Sequence, residues 1–211
     1  MRVNEISMTL RQAHCANAQG KVDVLSDWTK NPRRRLSKLD VQADGDCGAH
    51  CLAVVKMASD AKLVSPLDIR MAISQLAVRK AMLHDRNMCG YADRLKGGRF
   101  LEHFDLALYL QTMKFNLGIF AETADGRVVL SIVSFSDGNR GWVFMCIIGS
   151  QDAVPHFQIV CHAKDTVDVR PVFTNAEARE IIQAAGLAYP EHVHDPMFSI
   201  LNFSAIEDFI G

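Results

Sequence analysis

The sequence predicts an α+β domain, with helices packed on a small, mostly antiparallel β-sheet, and three observations predict it. Between residues 47 and 113 apolar side chains return every three or four positions, the period of a helix with one buried face. Between 128 and 173 the period falls to two, and Val, Ile and Phe dominate. A capping box, Thr174-Asn175-Ala176-Glu177, then opens one more helix that stops at Gly186. Helices first and a run of strands later is the pattern of α+β chains.

Each element has its own signal. Residues 1–31 carry no strong period, and Asn31-Pro32 followed by Arg33-Arg34-Arg35 reads as a turn and a solvated linker. Residues 36–41 lead into the turn Asp44-Gly45-Asp46, and a buried helix should run from Cys47 to position 57 or 58. Ser65-Pro66-Leu67-Asp68 is an N-cap, a proline at the first helical position and an acid in the first turn. Behind it Ile69, Ala72, Ile73, Leu76 and Ala77 keep helical spacing to about Leu83. Residues 84–98 are loop-like, 100–113 form a further helix, and 115–120 a short apolar strand. Strands follow at 128–134, 142–148, 156–161 and 167–173, then the capped helix over 175–185.

Composition excludes several classes. The chain has 211 residues, room for one domain with extensions, and 49% of them are hydrophobic, enough for a real core. Lys plus Arg number 23 against 24 Asp plus Glu, so no strong field points to nucleic acid or an anionic membrane. The six cysteines are scattered and read as free thiols of a reducing compartment. The first residues lack the apolar core of a signal peptide, and no apolar run reaches the roughly 20 residues of a membrane span. A cytoplasmic protein with neither a membrane nor a nucleic-acid partner is expected.

Chemistry concentrates at Asp44-Gly45-Asp46-Cys47. A cysteine on the first turn of a helix sits among unsatisfied backbone N–H groups and the positive end of the helix dipole. That position is expected to lower the thiol pKa and make Cys47 a nucleophile. The same helix-head N–H groups can hold the oxyanion of an acyl-transfer intermediate. Of eight histidines, His156 is the best partner, because it begins a strand-like run, HFQIV, and a strand end holds an imidazole firmly at a sheet margin. His50 lies too close to Cys47 on the same helix to be that partner, though it can flank the site. Cys51, one turn behind Cys47, reads as core.

The segments ADGDCGAHCLAVV, FLEHFDLALYLQTMKFNLGIF and PHFQIV, in that order, resemble OTU-type (ovarian tumour) cysteine proteases, most of which are deubiquitinases. The resemblance covers roughly residues 36–163. It implies a papain-like, OTU-type fold with an N-terminal extension over 1–35, a catalytic domain over 36–188 and a C-terminal tail over 189–211. It implies that Cys47 attacks the carbonyl after the C-terminal glycine of ubiquitin or a ubiquitin-like modifier, with His156 as general base, the backbone N–H groups of Asp44, Gly45, Asp46 and Cys47 as the oxyanion hole, and no cofactor. Many family members carry Asp or Asn two residues after the histidine; here Gln158 stands there and is the favoured orienting group, with Asp44, before the cysteine, as the alternative. A viral or bacterial effector protease is one form such a divergent chain could take, and a viral one could also process its own polyprotein.

Phe157, Trp142 and Phe100 are aromatics that could border a narrow glycine channel, although core packing is the commoner fate of each. Leu95-Lys96-Gly97-Gly98 looks like a cleavable Gly-Gly tail but reads first as a flexible loop. Cys47, His50 and Cys51, or His192, His194 and Asp195, offer metal-ligand types without the paired spacing of a zinc site, so no metal is expected. Two other readings stay open: a papain-like polyprotein-processing protease without deubiquitinase activity, and a non-catalytic ubiquitin-binding module that keeps the fold.

Overall fold

The computed structural model describes residues 36–84, 93, 98, 100–122, 128–134, 140–148, 156–163, 169–185 and 187–190. Its first element, β1 (Leu36–Leu39), is a strand where the sequence offered only a lead-in. Three helices follow: α1 (Cys47–Asp60), α2 (Pro66–His84) and α3 (His103–Thr112). Then come β2 (Phe115–Glu122), β3 (Val128–Ser134), β4 (Gly141–Ile148) and β5 (His156–Ala163). The expected strand over 167–173 is two short ones, β6 (Val169–Arg170) and β7 (Val172–Phe173), split at Pro171, which has no N–H to give a ladder. Helix α4 (Asn175–Ala184) closes the described order.

Local chemistry sets the helix starts. Ser65 Oγ accepts from Asp68 N–H at 3.1 Å while Asp68 Oδ2 accepts from Ser65 N–H at 3.3 Å, a reciprocal cap at α2. Thr174 and Glu177 do the same at α4, at 3.3 and 2.8 Å. At α3, Asp105 takes the Glu102 N–H at 2.8 Å, so this helix begins at His103 rather than at Phe100. Helix α1 runs to Asp60, beyond the expected 57 or 58, and stops when Ala61 turns left-handed and returns its N–H to Met57. Asp60 is fixed by Lys56 at 2.5 Å and by Arg140, just before β4, at 2.7 Å.

The strands form one sheet in the order β1-β5-β4-β2-β3, with β6 against β5 and β7 against β4. The pairings among the described strands are antiparallel except β2 with β4, which is parallel, so the sheet is mixed. Both of its faces are covered. On one, α1, α2 and α3 pack Leu52, Val55, Ile69, Ile73, Leu106 and Leu110 onto Leu117, Ile119, Val143, Met145, Phe157 and Ile159. On the other, Ala178 and Ile182 of α4 meet Leu36, Phe120, Trp142, Phe144, Val160 and Phe173. Strand alternation divides Val143 and Met145 from Trp142 and Phe144. Burial of apolar surface on both faces is what holds the helices to the sheet.

That division moves Trp142 away from the expected channel. It is fully buried on the α4 face, its indole N–H donating to Tyr189 Oη at 3.2 Å, in a different core from Cys47. The expected extension over 1–35, the tail from 191, Leu95-Lys96-Gly97, and His192 and His194 lie outside the described residues. No described helix is long and apolar enough to cross a membrane.

Candidate active site

The turn before α1 is built by its own side chains. Asp44 Oδ1 accepts the Asp46 N–H at 2.9 Å, and Asp44 Oδ2 meets His50 Nε2 at 3.0 Å. Gly45 sits at φ +86, a backbone region that costs an L side chain roughly 1–2 kcal/mol. Asp46 occupies the N-cap position, yet with φ −106 and ψ 13 its side chain makes no cap hydrogen bond. Its carboxylate turns to Arg70 of α2, which also donates from Nη2 to Gly45 O at 3.2 Å. Cys47 then begins the helix, 2% exposed. Gly48 follows in a tight place, since a Cβ there would lie 3.0 Å from Leu106 Cδ2 and that side chain would have to give way.

Two thiols of α1 meet β5 at a single peptide residue. Phe157 N–H donates to Cys47 Sγ at 3.3 Å, and Phe157 O accepts from Cys51 Sγ at 3.7 Å. The N–H and carbonyl of Phe157 are thus satisfied by sulfur where β1 has ended, which answers the requirement that buried backbone groups be paired. Because the Phe157 nitrogen is bonded to the His156 carbonyl carbon, standard bond lengths bring the sulfur within about 6 Å of His156 Cα. The structure therefore seats the Cys47 sulfur against the backbone next to His156, 109 positions away in sequence.

The partner of the imidazole is a residue the sequence reading passed over. His156 Nε2 lies 2.7 Å from Asp40 Oδ1, and Gln158 Nε2 donates to the same oxygen at 3.0 Å. The strand register places it there. β1 and β5 pair Leu36 with His162 and Leu39 with Ile159, so the next residue, Asp40, falls opposite Gln158 and diagonal to His156. Alternation puts His156 and Gln158 on one face of β5, within reach of one carboxylate. A signal existed in the short stretch LSKLD. It was hidden because Leu36 and Leu39 point to opposite cores, so no alternation of apolar and polar residues marks the strand.

The expected orienting groups are placed differently. Gln158 does not accept from the imidazole; its amide donates to Asp40, because an ionised carboxylate can only accept. Asp44 is engaged by His50 and by the Asp46 N–H, so it is tied into its own turn. That bond also occupies Asp46 N–H, one of the expected oxyanion donors, and leaves Cys47 N–H with its helical neighbours at the head of α1. Phe157 is buried and stacks on Phe100, centroids 5.6 Å apart at 11°.

Electrostatics corrects one further expectation. Burial pushes the Cys47 thiol above its ordinary value, and the charge of Asp44 adds to the rise, outweighing the N–H groups of Phe157 and Gly48 that favour the thiolate. The helix position alone does not ionise it. Burial raises Asp40 too, but hydrogen bonds from His156 and Gln158, the His156 charge and the Val41 N–H together hold it below the usual carboxylate range. With Asp40 ionised and acceptor-only, Nε2 carries the imidazole proton toward it and Nδ1 is the nitrogen left to act as base. Cys51 is fully buried and raised well above the ordinary thiol by desolvation first and by Cys47 and Cys161 next, so it stays protonated as an S–H donor.

Among the described residues no group of three or more His, Cys, Asp or Glu side chains is placed to hold a metal ion. By sequence, no protein-family model and no curated protein matches the chain. By structure it is similar to an ovarian tumour (OTU) domain solved in complex with ubiquitin, at TM-score 0.52 and 13% identity over 78% of this chain and 88% of that one. The OTUD1 OTU domain aligns at TM-score 0.45 and 10% identity, over 59% of this chain and 85% of that one. An OTU deubiquitinase from Wolbachia pipientis wMel aligns at 0.45 and 10%, over 69% and 95%. At the level of fold, the helices packed on a mixed sheet are those of an OTU domain.

Proposed function

We propose that this chain is a thiol protease that hydrolyses the peptide or isopeptide bond after the C-terminal glycine of ubiquitin or a ubiquitin-like modifier. The observation that carries the reading is the meeting at β5: Cys47 Sγ on the Phe157 N–H, and the neighbouring His156 anchored to Asp40. The neighbour solved with ubiquitin bound supports the substrate class.

In this reading His156 Nδ1 takes the Cys47 proton, and the thiolate adds to the carbonyl carbon. The oxyanion lies against the N–H groups at the head of α1. The imidazolium returns its proton to the leaving amine as the C–N bond breaks, leaving a thioester on Cys47. Water then adds with His156 again as base, and the C–S bond breaks to release the carboxylate and restore the thiol. Asp40 keeps the imidazole in the tautomer with Nδ1 unprotonated, Gln158 holds Asp40, and Phe100 and Phe157 form the floor under the scissile bond.

The buried, protonated thiol favours a second reading, a binding module that keeps the fold without turnover. Ubiquitin carrying a C-terminal fluorogenic amide separates them. The enzyme reading expects release of the fluorophore by the wild type and a loss of at least about 1,000-fold in both Cys47→Ala and His156→Ala, with each variant still folded at the assay temperature by circular dichroism. Saturable binding with no release supports the module. Silence toward ubiquitin together with cleavage of a longer precursor of this chain points to a polyprotein-processing enzyme.

A further inference from the structure

Aspartate at an N-cap normally bends its carboxylate onto the second or third helical N–H. At the head of α1 this would place a full negative charge on the roughly half positive charge of the helix end. In an acyl-transfer site an oxyanion must settle against the Cys47 N–H at that same helix head, so a carboxylate capping the next N–H groups would sit beside it and repel it. Asp46 is such a residue, and it does not cap. Its ψ of 13 lies far from the extended geometry of a capping residue, and its carboxylate is taken by Arg70, which is 3% exposed and ties Gly45 O as well.

We propose that Arg70 is a positioning residue that withholds the Asp46 carboxylate from the head of α1 and so keeps the oxyanion site open. This rests on the protease reading above. Arg70 fits the task because its planar fork reaches a carboxylate and a carbonyl together, whereas an ammonium offers one point charge. It is carried on α2, whose Ile69 and Ile73 are anchored in the core, so the fork is held by packing. Asp44 is drawn off in parallel by His50 at 3.0 Å, so both acids of the turn are turned away from the anion site by cationic or hydrogen-bonding partners.

The test is a rescue. Arg70→Met should lower kcat on the fluorogenic ubiquitin substrate by roughly 10- to 100-fold, in the range of a lost oxyanion donor, with KM within about threefold, because the interaction lost is made in the transition state. Adding Asp46→Ala to Arg70→Met should return kcat to within about threefold of Asp46→Ala alone, since the carboxylate that would intrude is gone. Unchanged kcat in Arg70→Met overturns the proposal; so does a loss that Asp46→Ala fails to repair, which would make Arg70 a brace and nothing more. If Arg70→Met does not fold, Arg70→Lys replaces it, with a smaller loss and the same rescue expected. The amide proton shifts of Gly48 and Ala49 give a reading without turnover: a downfield move in the Arg70 variant, reversed by Asp46→Ala, supports the proposal, and no move contradicts it. If the wild type turns nothing over while the Arg70 variant shows those shifts and Asp46→Ala reverses them, the protease reading fails and the withholding of the Asp46 carboxylate by Arg70 stands without it.

Discussion

The two halves of the candidate site are assembled in opposite ways. The cysteine half is local: Asp44, Gly45, Asp46, Cys47 and Gly48 are consecutive, and the turn is closed by the 2.9 Å bond from Asp46 N–H to Asp44. The histidine half is made by register. Asp40, His156 and Gln158 come from the end of β1 and the start of β5, and they meet only because those strands pair with Leu39 opposite Ile159. A local half fails when one residue is wrong; a register half fails when a strand slips, because a shift of one residue turns every side chain to the other face.

The comparison ranks the polar residues of the histidine half, and the largest effect is at Asp40. Asp40→Ala should reduce kcat by about 100-fold, because a second-sphere partner that sets an imidazole's tautomer and orientation is lost. Gln158→Ala should cost less, about tenfold, since it acts through Asp40. Asp44→Ala should stay within a fewfold of wild type, because its carboxylate is spent on its own turn. Steady-state kinetics on the three variants checks the order; a loss at Asp44 exceeding that at Asp40 would move the orienting role back to the cysteine half.

A smaller effect joins the halves. Cys51 offers its S–H to Phe157 O at 3.7 Å from a fully buried position. Cys51→Ala should destabilise the fold by about 1–2 kcal/mol, through an unpaired carbonyl and a small cavity. Cys51→Ser should recover part of that, and chemical denaturation of the two variants measures it.

The smallest effect concerns acid. Two carboxyls far from the thiol are held down to about 2, Asp60 by Lys56 and Arg140, and Glu177 where hydrogen bonds from Thr174 and Arg170 outweigh burial. A carboxyl whose folded pKa lies below its unfolded one stabilises the fold above the unfolded value and loses that contribution as pH falls through the folded one. Thermal midpoints should therefore drop between pH about 4.5 and about 2. In Asp60→Asn the drop should be shallower, and an unchanged slope would deny the pairings.

What the sequence made legible follows the same division. The capped helices, the period-two run and Cys47 at a helix head are local patterns, and the structure has them within a few residues of where periodicity places them. The proposed pairing of His156 with Cys47 comes from reasoning about strand ends, and the structure places the Cys47 sulfur on the N–H of the residue after His156. Asp40 is not found that way, because β1 is four residues long and has apolar side chains on both faces. Trp142 was assigned to the channel because nothing in the sequence says which face of β4 looks toward α1. The expectation of a lowered thiol pKa weighs helix position without burial, and burial outweighs it.

The most direct measurement is covalent capture with ubiquitin bearing a thiol-reactive C-terminus, followed by peptide mapping of the adduct. The account predicts one adduct, on Cys47 of the wild type, which slows markedly in His156→Ala and in Asp40→Ala. An adduct on another cysteine, or none at all while the chain is folded, would contradict it.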